Sequence, residues 1–263
     1  MKVRILGAHC LESTTTKLTC VLVDDVLALD AGGLTSSLSL EDQQKISAIL
    51  LTHQHIDHCK DIALIGYYNT LLRSSGQSSS PKRVYSTAGV FANLSGHILN
   101  NKVFPDFTQL PAPDSPALQF CPLEPYKVAT VEGYSVKTIP MYHSVPAIGY
   151  QVTDSDDKSL FFTGDTGPGL ADCWPHISPD LLITELSGPD KYTLHMANVG
   201  HLTPTLLKQE LIMYEQQKGH IPPVILIHLP PALEDEIRDE VAQVAQALEA
   251  DITLGYEGME ITI

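Results

Sequence analysis

Six consecutive residues, His53-Gln54-His55-Ile56-Asp57-His58, constrain this chain more than any other feature. Three imidazoles and a carboxylate follow directly on Ser47–Leu51, a short apolar run with the character of a buried strand. A strand ending there delivers four potential ligands on one tight loop. Imidazole together with carboxylate suits zinc, or iron and manganese, and the lack of cysteine in the set separates it from a structural zinc finger. Histidines two apart in an extended segment share a side. His53 and His55 can therefore face one ion while Asp57 and His58 turn toward a second. The bland alternative is a solvated loop with accidental histidines, and the scarcity of histidine counts against it.

Further candidates sit at the ends of other apolar segments. His143 ends the strand containing Val136 and Ile139, and Asp165 lies in Phe161-Phe162-Thr163-Gly164-Asp165-Thr166-Gly167. His228 follows Val224-Ile225-Leu226-Ile227. Layered αβ folds put function at strand mouths of this kind. Each residue alone could cap a helix or make a turn; the set, behind the loop motif, reads as a metal site. His201, in Gly200-His201-Leu202-Thr203-Pro204, is the best proton donor in view, and Glu185 at the end of Leu181–Thr184 could orient it. The competing reading makes His201 a helix cap and Glu185 a surface residue. His9, His176, His195 and His220 have no partner pattern and are expected to be structural or surface groups. His97 is expected to satisfy a local hydrogen bond.

The first third of the chain predicts strands at Val3–Leu6, Thr19–Val23, Val26–Asp30 and Ser47–Leu51, with helices at 59–72 and 87–100. Between those helices, Arg73–Ser80 reads as a flexible surface loop, and 105–125 as an ordered but irregular connection rich in proline. Strands resume at Lys127–Val131, Ser135–Ile139, Gly149–Val152, Leu160–Thr163 and Leu181–Thr184. Thr203-Pro204 introduces a helix over Thr205–Gln216. Val224–Ile227 is a last buried-type strand, Glu234–Glu249 an amphipathic helix, and Ile252–Ile263 supplies closing strands. No fixed-period repeat or linker is visible, and one layered α/β domain spanning 1–263 is the economical reading.

Charge narrows the partners. The formal net charge is -15, and Lys and Arg are scattered rather than clustered. A protein that neutralises a polynucleotide backbone needs a basic face, so a long nucleic acid is disfavoured. A small anionic substrate is still compatible, because metal ions bring positive charge into an acidic protein. Five widely spaced cysteines suit free thiols in a reducing compartment. The N-terminus lacks a signal-peptide pattern and no apolar stretch is long enough to cross a bilayer, so a cytoplasmic protein without membrane attachment is expected.

His-x-His-x-Asp-His, a later lone His143, Gly164-Asp165-Thr166 and the strand-end His228, in that order, resemble the metallo-β-lactamase superfamily over nearly the whole chain. The resemblance implies a four-layer αββα sandwich with its site at one edge of the two sheets. It implies that His53, His55 and His143 hold one divalent metal ion, that Asp57, His58 and His228 hold another, and that Asp165 bridges. Asp30, ahead of Ala31-Gly32-Gly33, matches an aspartate that supports the ligands. Two ions, Zn2+ with Mn2+ or Fe2+ as alternatives, would share a hydroxide able to attack phosphorus or a carbonyl. Members with a redox di-iron centre usually carry glutamate where His55 stands, so hydrolysis is favoured.

Within the superfamily the chain is similar to the class II cyclic-AMP phosphodiesterases. Gly96-His97-Ile98-Leu99-Asn100 through Phe104-Pro105-Asp106-Phe107, Gly164-Asp165-Thr166-Gly167-Pro168, Gly200-His201-Leu202-Thr203-Pro204 and Ile227-His228-Leu229 carry that similarity. It implies a 3′,5′-cyclic nucleotide as substrate and permits a homodimer. Asp57, His201 and Glu185 are then the candidate catalytic residues; ribonuclease Z, a related branch, carries a similar glutamate–histidine pair. Ile56 and Cys59-Lys60-Asp61-Ile62 depart from the family pattern, which leaves another small ester, thioester, lactone or phosphodiester open as substrate. Phe104 and Phe107 are candidates for an aromatic slot around a base, although aromatics at this spacing more often pack a core.

Overall fold

A computed structural model describes residues 1–77 and 79–263. The N-terminal half runs β1 (Lys2–Gly7), β2 (Cys20–Val23), β3 (Leu27–Leu29), α1 (Leu34–Ser37), α2 (Leu40–Lys45) and β4 (Ala48–Leu50). It continues with α3 (Ile56–Ser74), β5 (Lys82–Ser86), α4 (Ala88–His97), the small hairpin β6 (Pro111–Ala112) and β7 (Ser115–Pro116), and β8 (Leu118–Pro122). The second half begins with β9 (Val128–Val131), β10 (Tyr134–Met141), β11 (Ala147–Thr153), β12 (Ser159–Phe162) and β13 (Leu181–Glu185). It ends with α5 (Thr193–Val199), α6 (Pro204–Lys218), β14 (Val224–Ile227), α7 (Glu234–Leu248), β15 (Ile252–Leu254) and β16 (Glu260–Thr262).

Two seven-stranded sheets result, ordered β16-β1-β2-β3-β4-β5-β8 and β15-β14-β13-β12-β11-β10-β9. Both change from antiparallel to parallel pairing part-way across: β1, β2 and β3 are antiparallel and β3, β4, β5 and β8 parallel. In the other sheet β9 to β12 are antiparallel and β12 to β15 parallel. The closing segment is shared, since β15 extends the second sheet and β16 pairs with β1 of the first.

Side-chain alternation explains the layers. Val21, Val23, Ala48 and Leu50 point into a core shared with Ile183, Ile225 and Ile227 of the facing sheet. Cys20, Leu22 and Ile49 point outward, onto a second core with Ile62 and Ile65 of α3 and Val90 and Leu94 of α4. Leu182, Val224 and Leu226 likewise meet Leu207 and Leu211 of α6 and Ile237 and Val241 of α7. Strands buried on both faces need apolar residues throughout, which is why they read as continuous hydrophobic runs. The outcome is the expected αββα arrangement.

Three sequence expectations need correction. The ligand motif is only half a loop: α3 starts at Ile56, with His55 as its N-cap residue and Asp57 and His58 in its first turn. The segment 105–125 is not irregular throughout, because Leu118–Pro122 forms the edge strand beside β5. Neither β5 nor β8 has the alternation of an isolated strand; parallel pairing between them makes both, and the lysine that opens β5 is buried with its Nζ 2.7 Å from the carbonyls of Gln44 and Ile46. The expected loop at Arg73–Ser80 gives up Arg73 and Ser74 to α3, and the Arg73 guanidinium donates to the carbonyl of Ser79 and to Ser115. Ser78 lies outside the described residues.

No helix among the described residues is long and apolar enough to cross a membrane. All five cysteines are free thiols.

Candidate metal centre

Parallel strands bring their C-terminal ends to one edge, and the candidate ligands follow those ends. His53 stands three residues beyond β4, His143 two beyond β10, Asp165 three beyond β12 and His228 one beyond β14. His53, His55, His143 and Asp165 bring one ligand atom each within 4.8 Å of one another, and Asp57, His58 and His228 do the same. Asp165 also groups with His228 and His201, so the two sets adjoin. All seven sequence candidates are therefore at one place.

Hydrogen bonding assigns the ring nitrogens. The Thr52 hydroxyl donates to Asp30 Oδ2 at 2.9 Å, so it can only accept from His53 Nδ1, also at 2.9 Å. Asp30 Oδ2 accepts from His58 Nδ1 at 2.7 Å, and the Gly200 carbonyl from His143 Nδ1 at 3.0 Å. Ser187 Oγ donates to Glu185 Oε2 at 2.6 Å and accepts from His228 Nδ1 at 2.8 Å. Four rings thus commit Nδ1 to a fixed partner and turn Nε2 inward, the orientation a metal ligand requires.

Two of those inward nitrogens have polar neighbours, His143 Nε2 at 3.2 Å from His55 Nδ1 and His228 Nε2 at 3.0 Å from Asp57 Oδ2, and the other two have none. His53 Nε2, His58 Nε2 and Asp165 Oδ1 are buried and make no hydrogen bond. His58 Nε2 lies 3.1 Å from Asp165 Oδ1, but off the line an N–H bond needs, so the contact is proximity rather than bonding. His53 and His143 Nε2 stand 3.8 Å from Asp165 Oδ2, and His228 Nε2 stands 3.5 Å from it. Convergent lone pairs buried without donors cost several kcal/mol in total at roughly 1–3 each. A cation held among them removes that cost, so the donor set fits divalent metal.

Charge supports the same fit. Burial pushes the Asp165 carboxyl up, but His228, His58 and His53 outweigh it and hold the group well below the usual carboxylate range. Burial also opposes ionisation of Asp57, and the bond from His228 with the His58 charge reverses that, leaving it lowered. Burial and neighbouring imidazoles keep His53 well below its ordinary value, and His55 and His143 below theirs. His58 is the exception: burial lowers it, but Asp165 and Asp30 raise it well above.

One ligand candidate and one ligand support adopt a costly backbone. Asp30 and His228 have φ of 58° and 62° without being glycine, a strain of about 1–3 kcal/mol each. Gly164 has φ of 61°, and a Cβ there would lie 2.7 Å from the Thr52 side chain. The turn that presents Asp165 therefore packs directly on the residue that orients His53.

Beside this cluster, His201 Nδ1 donates to Glu185 Oε1 at 2.8 Å. Glu185 is 1% exposed, which removes the surface reading of that residue. Burial works against a charged His201, but Glu185 prevails and the imidazole is raised to about 9. Its ring stacks on His228 at 5.5 Å and meets His143 edge-on at 4.9 Å.

A family model described as the beta-lactamase superfamily domain matches residues 19–229. The chain belongs to the metallo-β-lactamase superfamily. Its His/Asp cluster is suited to divalent metal. A Yersinia pestis protein described as "Probable 3',5'-cyclic-nucleotide phosphodiesterase" is 25% identical over 221 residues, which cover 73% of this chain and 59% of the relative. The chain thus spans well under two thirds of that relative's length. Among solved structures, unliganded yeast PDE1 is similar with a TM-score of 0.84 and 18% identity, covering 100% of this chain and 99% of that one. The metallo-β-lactamase fold protein YhfI from Bacillus subtilis gives 0.76 and 16%, covering 99% and 98%. At such identities the structural likeness shows the fold.

Sequence reading missed part of this metallo-β-lactamase site. Thr52, Ser187 and the Gly200 carbonyl each fix a ring, and none carries a ligand signal of its own. Ser187 was findable only in hindsight, as the residue two beyond Glu185 on an extended segment. Asp30 stands where the resemblance put it, supporting ligands through Thr52 and His58. Phe104 and Phe107 do not form a slot: Phe107 is 1% exposed inside the outer core, and Phe104 packs against that core. His9 does have partners, with Nδ1 2.6 Å from Glu257 and Nε2 3.1 Å from Glu234.

Proposed function

We infer that this hydrolase is a dinuclear, zinc-loaded phosphodiesterase of small anionic substrates, and that 3′,5′-cyclic AMP is the substrate class it fits best. The observation that carries the reading is the Glu185–His201 pair, 2.8 Å apart and grouped with Asp165 and His228. Hydrolysis to the 5′-monophosphate breaks the bond from phosphorus to the 3′ oxygen, and that oxygen departs as an alkoxide, a poor leaving group unless protonated. His201, held charged by Glu185, has a proton to give from Nε2 because its Nδ1 proton is committed to the carboxylate. General acid catalysis of this kind contributes about 10²–10⁴-fold.

His53, His55 and His143 would hold one ion and Asp57, His58 and His228 the other, with Asp165 between them. When bound, such ions neutralise phosphate oxygens and provide a nucleophilic oxygen from water at neutral pH. The chain's own work is to orient. Thr52, Asp30, Gly200 and Ser187 fix four imidazoles through Nδ1, so the donor set needs no rearrangement to receive a cation. Ser187 joins Glu185 to both His201 (3.1 Å) and His228 (2.8 Å), coupling the proton donor to the ligand set. The curated Yersinia pestis relative supports the same substrate class.

The deciding experiment is turnover of 3′,5′-cyclic AMP and cyclic GMP by purified protein loaded with zinc or manganese, with product identified by chromatography. Release of the 5′-monophosphate is expected. No turnover by protein carrying metal would overturn the substrate assignment and point to lactones, thioesters or other phosphodiesters on the same centre.

A further inference from the structure

The turn that carries Asp165 is tied to other elements through the backbone amides of Thr166, Gly167 and Gly169. Thr166 N donates to Glu185 Oε1 at 3.3 Å, and Gly167 N to the Tyr142 carbonyl at 2.6 Å. Both acceptors belong to the site, since Tyr142 precedes His143 and Glu185 holds His201. The third does not. Gly169 N donates at 2.6 Å to Oε1 of Glu210, a buried residue of α6 outside both the metal cluster and the Glu185–His201 pair.

Glu210 lies on a face of α6 that grips the segment after Asp165. Leu207, Leu211 and Tyr214 stand at helical spacing from it and share an apolar core with Leu170 and Trp174. The Tyr214 ring meets the Trp174 ring edge-on at 5.1 Å, and Gln217 Nε2 donates to the Ala171 carbonyl at 3.2 Å. These contacts already secure the segment, and leucine at 210 would serve such packing better than an acid. Burial pushes the Glu210 carboxyl up and prevails over the amides of Gly169, Leu170 and Ala171, which favour the ionised form. A buried acid is costly. What it adds over leucine is direction, because it fixes the Gly169 amide where the chain enters the 3-10 turn Leu170–Asp172.

The same helix follows the proton donor. α6 starts at Pro204, three residues after His201. A Cβ on Gly167 would lie 2.9 Å from Gly200 Cα, so the Asp165 turn and the His201 turn touch.

Resting on the reading of His201 as proton donor, we propose that Glu210 is a positioning residue, whose bond to Gly169 sets where the Asp165 turn stands relative to His201. It touches neither substrate nor metal. A misplacement of about 1 Å can cost about 10²-fold in rate, so its effect belongs in kcat rather than KM.

The test compares Glu210→Leu, Glu210→Asp and Glu210→Gln with wild type, each assayed well below its own melting temperature. Glu210→Leu should lose about 10–100-fold in kcat on cyclic AMP with KM little changed. The loss on bis(p-nitrophenyl) phosphate should be smaller, because its leaving group does not need the His201 proton. Glu210→Asp keeps the acid but withdraws the oxygen from Gly169 N, and should behave as Glu210→Leu does. Glu210→Gln keeps an oxygen at that place and should recover most of the wild-type rate. Wild-type kcat in the leucine and aspartate variants, or a loss in Glu210→Gln equal to theirs, would overturn the role. A second readout does not need turnover: zinc affinity, by competition with a chromophoric chelator, should weaken about 10–100-fold in Glu210→Leu and return in Glu210→Gln. If wild type binds zinc but hydrolyses neither diester, the phosphodiesterase reading fails. The zinc competition then upholds Glu210 if the leucine variant is weakened and the glutamine variant is not, and any other pattern overturns it.

Discussion

Asp165 faces four imidazoles from inside a site where it is 2% exposed, with one carboxylate oxygen lacking any partner. Removing that carboxylate takes away the charge that both ligand sets share. Asp165→Ala is expected to abolish turnover and to weaken metal retention at both sets, read by elemental analysis after gel filtration; full activity with metal retained would exclude it as the shared ligand. His201 has a separable task. His201→Ala should retain metal while losing about 10²–10⁴-fold in turnover on unactivated diesters. The loss should be much smaller on bis(p-nitrophenyl) phosphate, whose leaving group needs no proton. Equal losses on the two substrates would exclude an acid role.

Element ends decide where these residues stand. The β12 end and the β4 end are locked together at Gly164, where a methyl group would press on Thr52 in a backbone conformation that alanine resists. Gly164→Ala is expected to destabilise the fold by about 1–3 kcal/mol, seen as a lower urea midpoint. It should also loosen metal binding, because Thr52 orients His53. A variant with wild-type midpoint and affinity would show that this contact yields without consequence. Much of this level was legible: Ser47–Leu51, Val224–Ile227 and Leu181–Thr184 announced themselves as apolar runs ending at polar chemistry. β5 and β8 did not, because Lys-Arg opens one and proline bounds the other, and their pairing partners are remote in sequence. The helical start of α3 inside the ligand motif was equally hidden, since histidine and aspartate have no strong helix signal.

Across the whole molecule, His9 ties three distant segments. It lies 5% exposed between Glu257 near the C-terminal strand and Glu234 at the start of α7, and residue 9 pairs with Leu229 beside the site. Burial lowers its pKa, but the two glutamates outweigh burial and the net shift is upward from 6.5. The sign follows from linkage: a group with a raised folded-state pKa stabilises fully below its unfolded value and loses that contribution as pH rises through the folded value. The melting temperature of wild type relative to His9→Gln should therefore be highest below about pH 6.5 and converge above the raised value. A pH-independent difference would exclude charge as its source. Metal acts on the same scale, since a ligand that binds only the folded state stabilises it by mass action. Chelation should lower the melting temperature of wild type far more than that of Asp165→Ala.

The sequence by itself determined the candidate donor set: the residues at 53, 55, 57, 58, 143, 165 and 228 converge on one cluster, and ordered strand ends implied one layered fold. Local signals sufficed because ligand identity is a property of side-chain type and spacing. Only the tertiary structure decided which nitrogen of each ring faces inward, since that depends on Thr52, Ser187, Asp30 and the Gly200 carbonyl arriving from separate strands and turns.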